Sequence, residues 1–157
     1  MAKVGIIPNP ASGKDIRRLV ARGAVFSNNE KINIVQRILV GLAWSGVEEV
    51  VFMPDTFAMG HKALNSMDGN PLPYRVEWLE MMIEGRQEDS TLAASLMREN
   101  GVDCIITLGG DGTNRVVSKG CGDVPLLPLS TGTNNVFPFM MEGTTAGMAA
   151  GLVARGA

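Results

Sequence analysis

One pattern recurs along the chain: a short apolar run, a turn containing Gly or Pro, and then a segment with helical spacing of apolar residues. Short apolar runs bounded by turn residues are typical of buried strands, and apolar residues three and four apart indicate helices. The pattern predicts strands at 3–7, 49–53, 74–83, 104–108 and 124–129. Because strands alternate with helices, we predict an α/β domain with a mainly parallel sheet.

The helices are predicted between these strands. Ser27-Asn-Asn-Glu30 has the spacing of a capping box and opens a helix that ends near Ser45, before Gly46. Other helices are predicted at 12–22, 56–67, 89–100, 111–119 and 144–154. The segment 74–83 suits either a strand or a helix, and we interpret it as a strand because the alternation requires one. Two prolines in 124–129 indicate an edge strand.

Composition narrows the class of protein. The 157 residues are the size of one domain, and 45% hydrophobic with 19% charged residues excludes a disordered chain. A formal net charge of −2 leaves no basic excess for nucleic-acid binding. Two cysteines suit a reducing compartment, and the apolar runs are too short to span a membrane. We therefore predict a cytoplasmic protein with no nucleic-acid or membrane partner.

The last part of the chain is unusually apolar. Only Asp123, Glu142 and Arg155 are charged between residues 121 and 157. Monomers rarely expose large contiguous apolar patches, so we expect this tail to be covered. We predict that residues 1–157 form a single domain at the N-terminal side of a longer two-domain protein. A missing C-terminal domain or a second copy would cover the tail, and we predict a homo-oligomer.

Three polar, glycine-containing loops each follow a predicted strand. In an open parallel sheet, the carboxyl ends of strands line one crevice, where ligands bind. Loop 1, residues 9–14, reads Asn-Pro-Ala-Ser-Gly-Lys, and Asn9, Ser12 and Gly13 offer an amide, a hydroxyl and a backbone N–H to an anion. It is not a Walker A loop, because position 8 is Pro. The alternative explanation is a turn with a helix cap.

Loop 2, residues 108–113, reads Leu-Gly-Gly-Asp-Gly-Thr and carries the most specific string in the chain. Its glycines permit backbone conformations closed to other residues and the close approach of a ligand. Asp111 is placed at a helix N-terminus, where a carboxylate is stabilised. There it can accept a hydroxyl proton or orient a metal–phosphate group. The alternative is a tight turn capped by Asp111.

Loop 3, residues 130–135, is made entirely of small or polar residues. Hydroxyls and amides of this kind suit ribose, adenine edges and phosphates. The candidate nucleotide-binding residues here are Thr131, Gly132, Thr133, Asn134 and Asn135. The alternative is an ordinary hydrophilic loop.

The remaining candidates favour structural roles. His61 lies in a predicted helix, where we expect a surface or interface position. Cys104 is predicted in a strand core, and Cys121 follows a turn without a partner pattern. No Cys/His cluster supports zinc, so the residues by themselves assign no metal site.

These loops resemble a known superfamily. Gly109-Gly-Asp-Gly-Thr113 resembles the signature shared by NAD kinases, diacylglycerol and sphingosine kinases and, more distantly, phosphofructokinases. Residues 9–13 look like the Asn-Pro-x-Ser-Gly stretch of the diacylglycerol kinase branch. Residues 128–135 are similar to that branch's Pro-Leu-Gly-Thr-x-Asn-Asp, with shifted spacing and no Asp after the Asn. The whole chain most resembles the ATP-NAD kinase-like proteins of the acetoin-catabolism X type.

The resemblance implies a fold and a set of roles. The fold would be a three-layer α/β/α domain, followed in the family by a β-sandwich domain, with the active site between them. ATP, Mg²⁺ and NAD would be the cofactors and the possible substrate. Asp111 would be the base or phosphate-orienting carboxylate. The residues implied for nucleotide phosphate or ribose are Gly109, Gly110, Gly112 and Thr113, and Asn9, Ser12 and Gly13 would flank the nucleotide.

Three functions remain open from the sequence. The leading hypothesis is an ATP-dependent kinase that transfers the γ-phosphoryl group to a hydroxyl, the 2′-hydroxyl of NAD or a related one, giving NADP in the first case. We expect residues 1–157 alone to be inactive, because half of the cleft would be missing. One alternative is a non-catalytic nucleotide-sensing module, since the Asn-Glu motif of NAD kinases has no equivalent here. The other is a lipid or small-alcohol kinase, which the sequence of loop 1 favours.

Overall fold

The computed structural model describes residues 1–10, 27–67, 69, 71–131 and 136–157. Within these residues, five strands alternate with five helices. The strands are β1 (Lys3–Pro8), β2 (Glu49–Phe52), β3 (Arg75–Trp78), β4 (Cys104–Gly109) and β5 (Leu126–Ser130). The helices are α1 (Asn28–Ser45), α2 (Met59–Asn65), α3 (Glu88–Glu99), α4 (Asp111–Ser118) and α5 (Gly143–Ala154).

The five strands form one sheet in the order β3-β2-β1-β4-β5, and every pairing is parallel. This confirms the predicted parallel sheet. β1 lies at the centre, where Ile6 pairs with Phe52 of β2 and Ile106 of β4. β5 is an edge strand, as its prolines predict, and the backbone of Phe139 bridges to it at Leu129.

Two apolar clusters cover the two faces of the sheet. Because successive side chains of a strand point to opposite faces, Ile6 and Ile7 enter different clusters. The first cluster joins the strands to α1, α2 and α5, and the second joins them to α3 and α4. The molecule is therefore a three-layer α/β/α domain, as the resemblance implies.

α1 and α5 pack against each other through glycines. A Cβ atom added to Gly41 would collide with the backbone oxygen of Thr144, and one added to Gly147 would collide with that of Ile38. The two helices therefore approach backbone to backbone. This contact holds α5 against α1, on the same face of the sheet.

Several predicted boundaries hold, and others require correction. The capping box is present: the Ser27 side chain accepts from the N–H of Glu30, whose carboxylate accepts from the N–H of Ser27. The strand predicted at 74–83 covers only Arg75–Trp78. In α3, Leu92 is 46% exposed although the helical spacing would place it inward, and the buried apolar positions are Ala93, Ala94 and Met97. The helix predicted at 12–22 lies outside the described residues.

The helix predicted at 56–67 begins later, at Met59. The Asp55 carboxylate accepts from the N–H groups of Phe57 and Met59 and thereby folds the preceding residues into a turn. Asp55 therefore acts just before this helix, and three residues of the expected helix precede its observed start. Burial raises the pKa of this carboxyl above its usual value, against the opposing effect of the two N–H donors.

Candidate functional site

Loops 1 and 2 meet at the carboxyl edge of the sheet because β1 and β4 are neighbours. The Asn9 side-chain amide donates to the Thr113 hydroxyl at 2.8 Å, and the Asn9 N–H donates to the Leu108 carbonyl at 3.0 Å. The start of loop 1 therefore lies against loop 2, as predicted. Asn9 and Thr113, far apart in sequence, form one polar contact in the crevice.

The glycines of loop 2 serve packing more than unusual backbone torsions. None of Gly109, Gly110 or Gly112 is among the residues with positive φ, which corrects the expectation that they adopt conformations closed to other residues. Gly109 is required because a Cβ atom there would collide with the Thr113 side chain. Gly112 is different: it is exposed, and a Cβ atom there would meet nothing within 4 Å. Close approach by a ligand is thus possible at Gly112.

Asp111 is the first residue of α4, as predicted, but it does not cap the helix. The N-cap is Gly110, and it provides no side-chain bond. The Asp111 carboxylate instead accepts the backbone N–H groups of Val136 (3.1 Å) and Phe137 (2.9 Å), just after loop 3. These two bonds, from Phe137 and then Val136, hold the pKa of the Asp111 carboxyl below its usual value. Asp111 is therefore an ionised group that ties loop 2 to the chain after loop 3.

Asn114 belongs to the same region and was missed from the sequence. It is buried, its side-chain oxygen accepts from the Thr107 hydroxyl at 2.6 Å, and its amide donates to the Gly110 carbonyl at 2.9 Å. These bonds fix the junction between β4 and α4. The available signal was an Asn inside a predicted helix, where its propensity is poor.

Loop 3 is anchored at its first residues. Thr131 is buried, and its N–H points to the Gly109 carbonyl at 3.4 Å. Ser130 donates its N–H to the Phe139 carbonyl at 2.7 Å, and Phe139 returns its own N–H to Pro128. Thr131 thus lies beside loop 2. The other candidates, Ser12, Gly13, Gly132, Thr133, Asn134 and Asn135, lie outside the described residues.

Lys31 is a second residue that sequence reasoning missed. It lies in the first turn of α1, is fully buried, and donates to the carbonyls of Asn9 (3.2 Å) and Pro10 (3.0 Å). A lysine near a helix start is ordinarily solvated, so its type alone gave no signal. Its position adds a positive charge directly behind loop 1.

One carboxylate at the crevice is of the chemical type that magnesium prefers. Among the described residues, no group of three His, Cys, Asp or Glu side chains is placed to hold a metal ion. Mg²⁺ bound with nucleotide phosphates needs only one or two carboxylates from protein. The ionised Asp111 carboxylate at the crevice can provide one.

His61, Cys104 and Cys121 were expected to have structural roles rather than catalytic ones. His61 is exposed and stacks on Trp78, with ring centroids 3.6 Å apart. Cys104 and Cys121 are buried free thiols. Burial raises the pKa of the Cys104 thiol to about 11 and raises that of Cys121 as well. Both positions agree with the structural roles expected for the cysteines.

A family model described as the ATP-NAD kinase N-terminal domain matches residues 4–157. The chain belongs to the NAD kinase family. "Acetoin catabolism protein X" of Cupriavidus necator is 45% identical over 98% of this chain. The match covers 44% of that relative, so the chain spans less than half of the length of the curated protein it resembles. No solved structure shows a significant match.

Membership of this family agrees with the resemblance seen in loop 2 and along the whole chain. The matched residues, 4–157, span all of the described strands and helices except the first residue of β1. None of the helices in the described part of the chain is both long and apolar enough to cross a membrane.

Proposed function

We propose that this domain binds ATP at loops 1, 2 and 3 and forms part of an ATP-dependent kinase of the NAD kinase type. The observation that carries the proposal is the junction of Asn9, Thr113 and Asp111 at the start of α4. A helix N-terminus beside a glycine loop is a favourable place for phosphate. Family membership supplies the reaction class.

The roles follow from the chemistry of phosphoryl transfer, which needs positioning and charge stabilisation more than covalent work. Gly112 leaves open space for a phosphate, and the N–H groups at the start of α4 face the same end. Asn9, Thr113 and Thr131 supply an amide and hydroxyls for phosphate or ribose. Ser12, Gly13 and residues 132–135 complete the proposed nucleotide site.

Asp111 has two proposed roles, as base for the acceptor hydroxyl and as the carboxylate that orients the metal–phosphate group. The carboxyl is ionised at neutral pH, and its lowered pKa makes it a weaker proton acceptor. The second role is therefore better supported. When bound, Mg²⁺ would neutralise charge on the transferred phosphoryl group.

The 2′-hydroxyl of NAD is the proposed acceptor, on the strength of the family. The relative's name refers to acetoin catabolism, and we place the reaction in that setting as part of the same proposal. A nucleotide-sensing module is the second candidate. It is favoured by the Asp111 carboxylate, which has a structural role in holding Val136 and Phe137.

The exposed apolar surface beside the site is an argument for a further domain that covers it. We define the apolar strip as residues 136–141, where Val136 is 94% exposed and Phe139 and Met140 are also exposed. The matched region is 44% of the relative, so more than half of that protein lies outside it. We propose that a C-terminal domain covers this strip and completes the cleft in the full-length cytoplasmic protein, and that the protein is a homo-oligomer.

Hydrogen exchange of the full-length protein tests nucleotide binding. ATP with Mg²⁺ should slow exchange of the backbone amides of residues 109–113, whereas the amide of Asp103, just before the opposite end of β4, should not change. Unchanged exchange across residues 109–113 at saturating ATP would remove the nucleotide site from the proposal.

A product assay identifies the acceptor. Full-length protein with ATP and Mg²⁺ should form NADP from NAD. Phosphorylation of diacylglycerol with no NADP would favour the lipid kinase alternative instead. ATP binding without transfer to either acceptor would favour the sensing module.

A further inference from the structure

Lys31 is a charged residue in an unusual place. Its side chain is fully buried at the first turn of α1, and the Ser27 capping box fixes the start of that helix. Buried lysines are rare unless hydrogen bonds satisfy the ammonium group. The partners of this ammonium group therefore indicate what the residue does.

The ammonium group donates to two successive carbonyls at the point where β1 becomes loop 1. The Lys31 Nζ atom lies 3.2 Å from the backbone oxygen of Asn9 and 3.0 Å from the backbone oxygen of Pro10. Asn9 is also fixed by its own N–H, which donates to Leu108, and by its side chain, which donates to Thr113. Lys31 thus completes a set of three contacts that hold the main chain and side chain of Asn9.

We propose that Lys31 is a positioning residue that fixes the start of loop 1 against loop 2, so that Asn9 is preorganised for nucleotide. The proposal rests on the proposed function of these loops. A charged donor makes stronger hydrogen bonds to carbonyls than a neutral one, and the compact ammonium group can serve several acceptors. A loop that is ordered before binding avoids part of the entropy cost of ordering.

The first test uses ligand-free, full-length protein. Lys31→Met keeps much of the buried length and removes the donors. The matched control is Lys3→Met, because Lys3 also donates to a backbone carbonyl, that of Asn100, at the opposite end of β1. We expect hydrogen exchange of the Asn9 backbone amide to be about tenfold faster or more in Lys31→Met and unchanged in Lys3→Met.

The second test measures ATP affinity in the same variants. Lys31→Met should weaken ATP binding by about 10- to 100-fold, which corresponds to loss of a charge-assisted hydrogen bond. Lys3→Met should leave the affinity within about twofold. Because Lys31 is proposed to act through Asn9, Lys31→Met should have little further effect in an Asn9→Ala background. Additive losses in the double variant would overturn this route.

The two proposals fail in different ways. If the wild type binds no ATP, the proposed function is wrong and the nucleotide role of Lys31 is overturned with it, while exchange of the Asn9 amide still reports whether Lys31 anchors loop 1. Unchanged exchange in Lys31→Met would overturn the anchoring itself. Lys31→Gln, which keeps a neutral donor, replaces Lys31→Met if that variant does not fold, and it should show a smaller change in the same direction.

Discussion

At the scale of single residues, the glycines of loop 2 differ in what their missing side chains allow. Gly109 lies against Thr113, whose hydroxyl accepts from Asn9, so the absence of a Cβ atom lets two loops join. Gly112 faces open space, so its missing side chain serves no contact within the described protein. One glycine is therefore assigned to packing and the other to ligand access.

This assignment predicts opposite results for two alanine substitutions. Gly109→Ala should lower the free energy of unfolding by about 1–3 kcal/mol, because the added methyl group overpacks against Thr113. Gly112→Ala should leave stability unchanged or raise it by up to about 1 kcal/mol, because alanine favours the helix. Chemical denaturation of both variants checks the difference.

The same pair gives a binding control. Gly112→Ala, although well folded, should weaken ATP binding because the methyl group occupies the open space. An equal loss of stability in both variants, or full ATP affinity in Gly112→Ala, would contradict the assignment.

Sequence reasoning located the polar residues that stand in loops and missed those that act from helices. Asn9 and Asp111 follow strands, where ligand residues are expected. Lys31 and Asn114 lie inside helical patterns, and their importance depends on tertiary contacts with residues 9–10 and 107–110. Nothing in the spacing of apolar residues reports such contacts.

At the scale of helices and strands, the packing of α1 on α5 depends on small residues. Gly41 and Gly147 bring the two backbones together, and Gly143 and Gly151 also lie against α1. Gly143, Gly147 and Gly151 recur at every fourth residue of α5 and therefore lie on one side of that helix. The interface therefore has little room for any side chain.

Gly147→Ala should destabilise the fold because its methyl group would collide with the Ile38 carbonyl. We expect a loss of about 1–3 kcal/mol, even though alanine has better helix propensity than glycine. The control is Met148→Ala, the next residue and one exposed to solvent, which should cost less than about 1 kcal/mol. Similar melting temperatures for Gly147→Ala and the wild type would show that the helices can separate slightly without cost.

Element boundaries were predictable where local signals agreed and not where a tertiary or turn contact decided them. The start of α1 follows from the capping box, which is a local motif. The start of α2 depends on the Asp55 turn, which competes with the first helical residues. β3 ends at Trp78 because only Arg75–Trp78 pair with β2, and a partner strand of four residues cannot be inferred from 74–83 alone.

At the scale of the whole molecule, the described residues include two exposed apolar regions that bear on association. One is the apolar strip next to Asp111. The other is on the outer sides of the packed helices α1 and α5, where Trp44 is 79% exposed and Met148 and Leu152 are also exposed. Exposed apolar surface of this kind marks interaction sites in proteins.

We predict that the 157-residue chain self-associates through one of these regions. Sedimentation velocity should show a dimer that forms with increasing concentration. Met140→Glu tests the apolar strip, Trp44→Glu tests the helical surface, and the substitution that restores a monomer identifies the interface. A monomer at every concentration of the unmodified chain would contradict the prediction.

The central claim is that this site transfers a phosphoryl group with the help of Asp111. The most direct measurement compares NADP formation from ATP and NAD by the full-length wild type and Asp111→Asn, with Mg²⁺ present. Asn keeps an acceptor oxygen for the N–H groups of Val136 and Phe137, so the loop should keep its shape, but it loses the negative charge that would orient the metal–phosphate group. Turnover should fall by about 10²–10⁴-fold. Equal turnover by the two proteins would contradict a catalytic Asp111, and a wild type without turnover would contradict the kinase itself.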